Sequence, residues 1–151
     1  MRLYFLRHGE ADWPDWKKPD DERPLTKAGQ KEVHEVAQFL ARLKVRADLI
    51  ITSPLPRASQ TADIVAEHLK TRCQEEKMLA PGFRVEDLTR LRRKYPQQSL
   101  MLVGHEPDFT ETIAALTGGS VKLSKAGVAL VDLNLRKGKL LWLIPPKIAK
   151  Q

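Results

Sequence analysis

The sequence predicts an α/β protein built on a largely parallel sheet. The apolar runs 3–6, 47–52 and 99–103 have the length and the branched or aromatic composition of buried strands. Segments with helical spacing of apolar residues follow the second and third of these runs, and strands that alternate with helices are typical of parallel sheets. Two further apolar runs close to the end of the chain predict that at least one pair of strands is antiparallel.

This antiparallel pair is predicted at the C-terminal end. Residues 128–135 and 140–144 are strand-like, and Lys137-Gly138 between them predicts the turn of a β-hairpin. Pro145-Pro146 follows and is expected to end the ordered core. Earlier in the chain, residues 72–78 fit either a small edge strand or an irregular segment.

Four helices are predicted from apolar side chains that recur every three or four residues. Thr26 is the predicted N-cap of the first helix, and Gly118-Gly119 is expected to end the fourth, which starts near Pro107. Residues 11–24, rich in Asp, Pro and Trp, predict a loop before the first helix. The expected inward-facing residues are Val33, Val36, Ala37, Leu40 and Leu43, then Leu55, Ala58, Ala62, Val65 and Leu69, then Val85, Leu88, Leu91 and Tyr95, and finally Phe109, Ile113 and Leu116.

Composition indicates a soluble globular protein of one domain, residues 1–151. Lys and Arg outnumber Asp and Glu by 26 to 19, and the net charge of +7 favours anionic partners. The single cysteine, Cys73, excludes an internal disulfide and a thiolate zinc cluster. No apolar run approaches the length of a membrane span, and the first residues do not read as a secretory signal. We therefore expect a cytoplasmic protein without a membrane anchor.

Cationic and imidazole side chains follow the ends of three predicted strands. Arg7-His8 follows the first, Arg57 comes shortly after the second, and His105 follows the third. If these strands are neighbours in a parallel sheet, their carboxyl ends meet at one edge. Two arginines and two histidines would then share a pocket with no obvious carboxylate to neutralise it. A phosphoryl dianion suits such a pocket because guanidinium groups match its oxygens.

These residue types also suit phosphoryl transfer, which depends mainly on positioning and charge neutralisation. Arg7 and Arg57 could bind the non-bridging oxygens of the phosphoryl group. One histidine could attack phosphorus through an unprotonated ring nitrogen, and the other could donate hydrogen bonds. The sequence by itself does not say whether His8 or His105 is the nucleophile.

Three motifs resemble those of the histidine phosphatase superfamily (phosphoglycerate-mutase-like). They are Arg7-His8-Gly9-Glu10, the segment Ser53-Pro54-Leu55-Pro56-Arg57-Ala58-Ser59-Gln60-Thr61-Ala62, and Val103-Gly104-His105-Glu106-Pro107, in the order of that family. The resemblance implies a three-layer α/β/α sandwich around a mostly parallel sheet, and chemistry that needs no metal or cofactor. It also implies that His8 is transiently phosphorylated, that Arg7 and Arg57 hold the phosphate, and that His105 completes the pocket.

The short chain resembles one branch of that superfamily most closely. Residues 57–99 leave no room for a large cap domain, and Arg23-Pro24-Leu25-Thr26 precedes the first helix, as in compact SixA-type phosphohistidine phosphatases. This likeness implies that Arg23 also reaches the phosphate. The alternative is an exposed arginine ahead of a helix.

One position departs from the family pattern. Many members place a general-acid glutamate where this chain has Met78, and Glu75 and Glu76 match that position only after a shift. An alkoxide leaving group needs a proton donor, whereas an imidazole leaves far more readily. The departure therefore favours phosphohistidine as the substrate. An open, uncapped and basic surface suits a protein substrate, such as a histidine phosphotransfer domain, better than a small metabolite. We expect the protein itself to be a monomer.

Other functions remain open at this stage. One is a phosphatase for small phosphoesters, and another is a non-catalytic module that binds phosphorylated ligands or nucleic acid, although no nucleic-acid signature is present. A metal site at His8 and His105 would lack the aspartates that such a phosphatase needs. Residues 90–94 form a basic run that predicts either a solvated helix face or a docking patch for an acidic partner. His34 and His68 are given no role.

Overall fold

The computed structural model describes residues 1–134 and 137–150. Six strands form one mixed sheet in the order β3-β2-β4-β1-β5-β6, so the first strand of the sequence lies inside the sheet. The strands are β1 (Arg2–Arg7), β2 (Leu49–Thr52), β3 (Cys73–Glu75), β4 (Ser99–Gly104), β5 (Val128–Asn134) and β6 (Lys137–Ile144).

Strand directions confirm the predicted sheet. The pairs β2–β3, β2–β4 and β1–β4 are parallel, whereas β5 is antiparallel to both β1 and β6. The predicted edge strand within residues 72–78 is β3, which is short and pairs only with β2 among the described strands. The sheet is therefore mostly parallel, with an antiparallel hairpin at its C-terminal side.

The four predicted helices are present, and a short fifth helix follows them. Thr26 caps the first helix as predicted, because its hydroxyl accepts a hydrogen bond from the N–H of Gly29 at 3.0 Å. The predicted third helix begins as a 3₁₀ turn over residues 85–87 before it becomes α-helical. The helices are α1 (Lys27–Arg42), α2 (Pro56–Leu69), α3 (Leu88–Lys94), α4 (Asp108–Thr117) and α5 (Pro146–Ala149).

The helices cover both faces of the sheet, and each face has its own core. Alternate residues of β1 show this division: Leu3 and Phe5 belong to the core shared with α3 and α4, whereas Tyr4 and Leu6 belong to the core shared with α1 and α2. This arrangement is the predicted three-layer α/β/α sandwich. The described residues contain no separate cap domain over the sheet edge, since residues 57–99 are used by α2, β3 and α3.

The turn predicted at Lys137-Gly138 is wrong. Both residues belong to β6, where Gly138 pairs with Leu133, and Leu135, the last residue of the predicted preceding strand, lies outside the described residues. A side chain at position 138 would clash with its neighbour, because a Cβ on Gly138 would lie 2.8 Å from Cγ1 of Val131. The glycine at this position is therefore explained by close packing and not by a turn.

The prediction that Pro145-Pro146 ends the ordered core is also wrong. Pro146 occupies the first turn of α5, a position that tolerates proline because no backbone donor is needed there. Ala149 is buried in the core on the α1 side of the sheet, and Lys150 forms an ion pair with Glu32. Among the helices described, none is long and apolar enough to cross a membrane.

Candidate active site

The register of the sheet brings the three motif-bearing strand ends together. Arg7 pairs with Gly104, and Thr52 pairs with Val103, so β1, β4 and β2 end side by side. The residues that come next continue this alignment, since the N–H of His8 donates to the carbonyl oxygen of Gly104 at 3.0 Å. The predicted convergence of the strand ends is therefore present in the structure.

His8 and His105 face each other at this edge. Their ring centroids are 5.2 Å apart with an angle of 56° between the planes, and the side chains are buried. Both rings thus lie in one partly desolvated pocket, although they are 97 positions apart in the chain. An arrangement with the two rings on opposite sides of the molecule would have ended the phosphoryl-transfer hypothesis.

The hydrogen bond of His8 fixes which ring nitrogen carries its proton. Nδ1 lies 2.7 Å from the carbonyl oxygen of Gly9, and a carbonyl can only accept, so Nδ1 is the donor. In the neutral ring, Nε2 is therefore unprotonated and carries a free lone pair. Gly9 is held in turn by its N–H, which donates to the Thr61 hydroxyl at 3.0 Å.

His105 is oriented by a serine whose role the sequence did not reveal. Nε2 of His105 lies 2.8 Å from Oγ of Ser53, which also accepts a hydrogen bond from the N–H of Leu55 at 3.2 Å. Nδ1 of His105 is buried and has no hydrogen-bond partner within the described part of the chain. A buried polar atom left without a partner is costly, and a bound ligand is one way to satisfy it.

The two predicted phosphate-binding arginines are anchored through one end of each guanidinium group. Nη1 of Arg7 donates to the carbonyl oxygen of Leu123 at 3.1 Å, and Nη1 of Arg57 donates to the carbonyl oxygen of Asp20 at 3.2 Å. The Nε atoms of both arginines are buried and find no hydrogen-bond partner in residues 1–134 and 137–150. Each of the two arginines thus keeps one buried donor that has no partner among the described residues.

Electrostatics keep both imidazoles neutral at pH 7. Burial, together with the charges of Arg57, Arg7 and Lys125, lowers the pKa of His8 to about 4 against the opposing hydrogen bond to Gly9. Burial, with smaller contributions from His8 and the two arginines, lowers the pKa of His105 to about 3. The lone pair on Nε2 of His8 is consequently available throughout the neutral range.

The loop that precedes α1 contributes charged residues close to Arg57. Arg23 is only 21% exposed, so it is not the exposed arginine that the alternative prediction describes. Its Nη1 donates to the carbonyl oxygen of Ala11 at 2.7 Å and lies 3.3 Å from Oδ1 of Asp12. Asp12 also pairs with Lys125, which precedes β5.

The expectation that no carboxylate neutralises the pocket is wrong. Asp20, in a 3₁₀ turn of the same loop, lies beside the guanidinium groups of both Arg23 and Arg57. The sequence alone did not indicate Asp20 and Lys125 because their positions depend on the path of a loop and on the direction of β5. Ser53 lies inside a quoted motif, and its place directly after β2 was the signal that could have identified it.

The carboxylate of Glu76 is bound by other residues, so Glu76 does not provide this pocket with a free carboxylate. It accepts hydrogen bonds from the hydroxyl of Tyr95 at 2.8 Å and from the N–H of Met78 at 2.9 Å, and it pairs with Lys94 at 2.7 Å. Glu75 is exposed at the end of β3. Across the residues described, no group of three or more His, Cys, Asp or Glu side chains is placed to hold a metal ion.

Comparison with known proteins identifies the family. A family model for the histidine phosphatase superfamily (branch 1) matches residues 3–117. The chain belongs to the histidine phosphatase superfamily. An uncharacterized protein of Picosynechococcus sp. is 42% identical over 147 residues, which cover 91% of this chain and 86% of that protein.

Two further similar proteins carry names that describe an activity. The structure of the protein histidine phosphatase SixA complexed with tungstate matches with a TM-score of 0.87 and 26% identity, over 98% of this chain and 99% of that one. The probable phosphoglycerate mutase GpmB of Cronobacter sakazakii is 32% identical over 97 residues, which cover 63% of this chain and 42% of that protein. The family and the SixA likeness support phosphatase activity for this chain.

Proposed function

We propose that this protein is a metal-independent phosphatase that removes phosphoryl groups from phosphohistidine on a partner protein, through a phosphohistidine intermediate on His8. The observation that carries the proposal is the hydrogen bond from Nδ1 of His8 to the carbonyl of Gly9. It leaves the lone pair of Nε2 free in a pocket where Arg7 and Arg57 offer buried donors without partners among the described residues. A nucleophile and an anion site thus lie together.

In the first half of the proposed reaction, Nε2 of His8 attacks phosphorus. The new N–P bond forms on His8 as the N–P bond to the substrate imidazole breaks, and the substrate imidazole takes the electron pair of the broken bond. The guanidinium groups of Arg7 and Arg57 neutralise the phosphoryl oxygens through the reaction. His105, with Nδ1 as its free donor when Ser53 donates to Nε2, is positioned to bind one of those oxygens.

In the second half, water attacks the phosphoryl group on His8 and releases inorganic phosphate. The N–P bond breaks, its electron pair returns to Nε2, and the attacking water loses one proton, which the phosphate product retains or passes to solvent. The low pKa of His8 helps this step, because a less basic imidazole is a better leaving group.

Two observations support phosphohistidine over a phosphoester. The resemblance to the family implies that Met78 stands where many members have a general acid, and the nearby Glu76 is bound to Tyr95 and Lys94. A substrate imidazole whose other nitrogen carries a proton leaves as a neutral ring and needs no carboxylic acid. The likeness to SixA supports the same substrate class.

The second candidate is a phosphatase for small phosphomonoesters. The sequence similarity to a probable phosphoglycerate mutase favours it, since that name refers to a small phosphorylated metabolite. Such a substrate has an alkoxide leaving group, and the absence of a free carboxylic acid should slow its hydrolysis by roughly a hundredfold.

The test uses a histidine phosphotransfer domain labelled with ³²P, incubated with the protein in the presence of EDTA. We expect release of labelled phosphate and a transient, acid-labile label on the protein. His8→Ala should lose both, and Glu76→Gln should keep both. Rapid hydrolysis of phosphoserine or sugar phosphates without turnover of the phosphorylated domain would favour the second candidate. Turnover by His8→Ala would contradict the proposed nucleophile.

A further inference from the structure

Asp20 lies between two of the arginines that are proposed to hold phosphate. Its Oδ1 is 2.8 Å from Nε of Arg23, and its Oδ2 is 3.9 Å from Nη2 of Arg57. The carbonyl oxygen of the same residue accepts a hydrogen bond from Nη1 of Arg57 at 3.2 Å. A single residue of the loop thus engages both guanidinium groups.

Exposure places this carboxylate on the solvent side of the arginines. The Asp20 side chain is 71% exposed, whereas the side chains of Arg57 and Arg23 are 8% and 21% exposed. Asp12 repeats the arrangement next to it, because it contacts both Arg23 and Lys125 and is 60% exposed. The carboxylates of both groups are therefore more exposed to solvent than the cations that they contact.

A carboxylate and a phosphoryl group use guanidinium donors in the same way. Both present negatively charged oxygens that are attracted to the planar fork of arginine, so they compete for the same guanidinium groups. A phosphoryl dianion that enters while Asp20 stays in place also meets a like charge at short range. Exposed ion pairs are weak, and Asp20 can therefore be displaced by a ligand that gains enough contacts of its own.

We propose that Asp20 is a specificity-determining residue that competes with the phosphoryl group for Arg23 and Arg57. Its carboxylate lowers the affinity of the pocket for free phosphate and for small phosphoesters. A phosphoryl group carried on a protein gains further contacts from the protein surface and overcomes this competition. The inference rests on the proposed function, because it assumes that Arg57 and Arg23 bind phosphate.

Asp20→Asn tests the inference, since it keeps the shape of the side chain and the backbone carbonyl and removes only the charge. Asp21→Asn is the matched control, because Asp21 belongs to the same 3₁₀ turn and acts on Arg57 only through its charge, without an ion pair in the described residues. Calorimetric titration with inorganic phosphate and with tungstate measures binding without any turnover. We expect Asp20→Asn to bind both anions about tenfold more tightly and Asp21→Asn to stay within about twofold of wild type.

Turnover provides the second measurement. The ratio of kcat/KM for p-nitrophenyl phosphate to kcat/KM for a phosphorylated histidine phosphotransfer domain should rise about tenfold in Asp20→Asn. Unchanged or weaker anion binding by Asp20→Asn would overturn the inference, and would instead make Asp20 a residue that positions the arginines. An equal gain in anion affinity in Asp21→Asn would also overturn the inference, because the effect would then be a general one of charge.

The two proposals fail in different ways. If wild type binds phosphate and Arg57→Ala does not, the anion site of the proposed function stands, and Asp20→Asn alone decides the inference. If wild type and Arg57→Ala bind phosphate and tungstate equally poorly, the proposed anion site is wrong and the inference falls with it.

Discussion

The hydroxyl of Ser53 lies 2.8 Å from Nε2 of His105, so the residue that follows β2 orients the imidazole that follows β4. Ser53 is fully buried and also accepts the N–H of Leu55, which ties the position of His105 to the start of α2. Arg57 lies in the first turn of the same helix. One serine therefore couples an imidazole and a guanidinium group of the candidate site.

Ser53→Ala should lower kcat/KM by roughly tenfold, because His105 loses the partner that fixes its ring. Ser59→Ala is the matched control, since the Ser59 hydroxyl bonds to the carbonyl of Pro56 in the same helix and touches neither histidine. Steady-state kinetics of both variants, with thermal unfolding as a check on the fold, measure the difference. Equal losses of kcat/KM in the two variants would contradict the role of Ser53 in orienting His105.

The pH dependence of kcat/KM should lack the acidic limb that an ordinary histidine gives near pH 6.5. The pKa of His8 is lowered to about 4, so its Nε2 stays unprotonated until the pH falls toward that value. Activity should then be lost below about pH 5, in the direction of protonation of the nucleophile. Two substrates with different phosphoryl pKa values separate this limb from the titration of the substrate. A limb near 6.5 that both substrates share would contradict the burial of His8.

Stability should fall between pH 6.5 and pH 5. The pKa values of His8 and His105 are lower in the folded protein, at about 4 and about 3, than the 6.5 of an unfolded chain. The unfolded state therefore binds more protons in this window. By pH 5, each histidine lowers the free energy of unfolding by about 2 kcal/mol. Urea titrations at pH 7.5 and pH 5 measure the change. The double variant His8→Gln/His105→Gln should show a clearly smaller loss, and an equal loss would assign the effect to other groups.

Gly29→Ala should destabilise the fold by about 3 kcal/mol. A Cβ at Gly29 would lie 2.1 Å from the backbone carbonyl oxygen of Glu10, so α1 could not approach the segment that follows His8. Gly119→Ala is the control, because the nearest atom to its Cβ would be Oγ1 of Thr117 at 3.4 Å. Denaturant midpoints of the two variants test the prediction, which fails if both move by the same amount.

Glu76→Gln should weaken the fold by about 1–2 kcal/mol and leave kcat within about twofold. Burial alone raises the pKa of Glu76, but hydrogen bonds from Lys94, Met78 and Tyr95 outweigh it, and the pKa lies below its ordinary value. This carboxylate therefore stabilises the fold at neutral pH, and its contribution is lost as the pH falls through that pKa. Glu75→Gln, at an exposed neighbour, is the stability control. A large loss of kcat in Glu76→Gln would restore it as a general acid.

The sequence was informative where the signal is local. Strands, helices and the Thr26 cap are encoded in runs of about ten residues, and the convergence of Arg7, His8 and His105 follows once the strands are parallel neighbours. The position of Arg57 could be predicted from the start of α2 alone. Each of these predictions depends on a short segment and on one general rule about sheet edges.

The remaining features depend on contacts between distant segments. Gly138 occupies a strand because Val131 leaves no room for a side chain, and nothing within a few residues of Gly138 reveals that. Asp20 and Lys125 reach the pocket through a loop path and a reversed strand direction. Ala149 is buried because α5 packs next to α1. These are properties of the assembled sheet and not of any one segment.

The internal position of β1 has a consequence for the folding of the chain. Arg2 pairs with Ser99 on one side and with Asp132 on the other, so β1 completes its hydrogen bonds only with strands that are distant in the sequence. Pairing across such separations slows folding, because long loops must close before the contacts stabilise anything. A chain without β5 would leave one edge of β1 unpaired. The sheet edge where His8 lies therefore takes shape only after segments far apart in the sequence have come together.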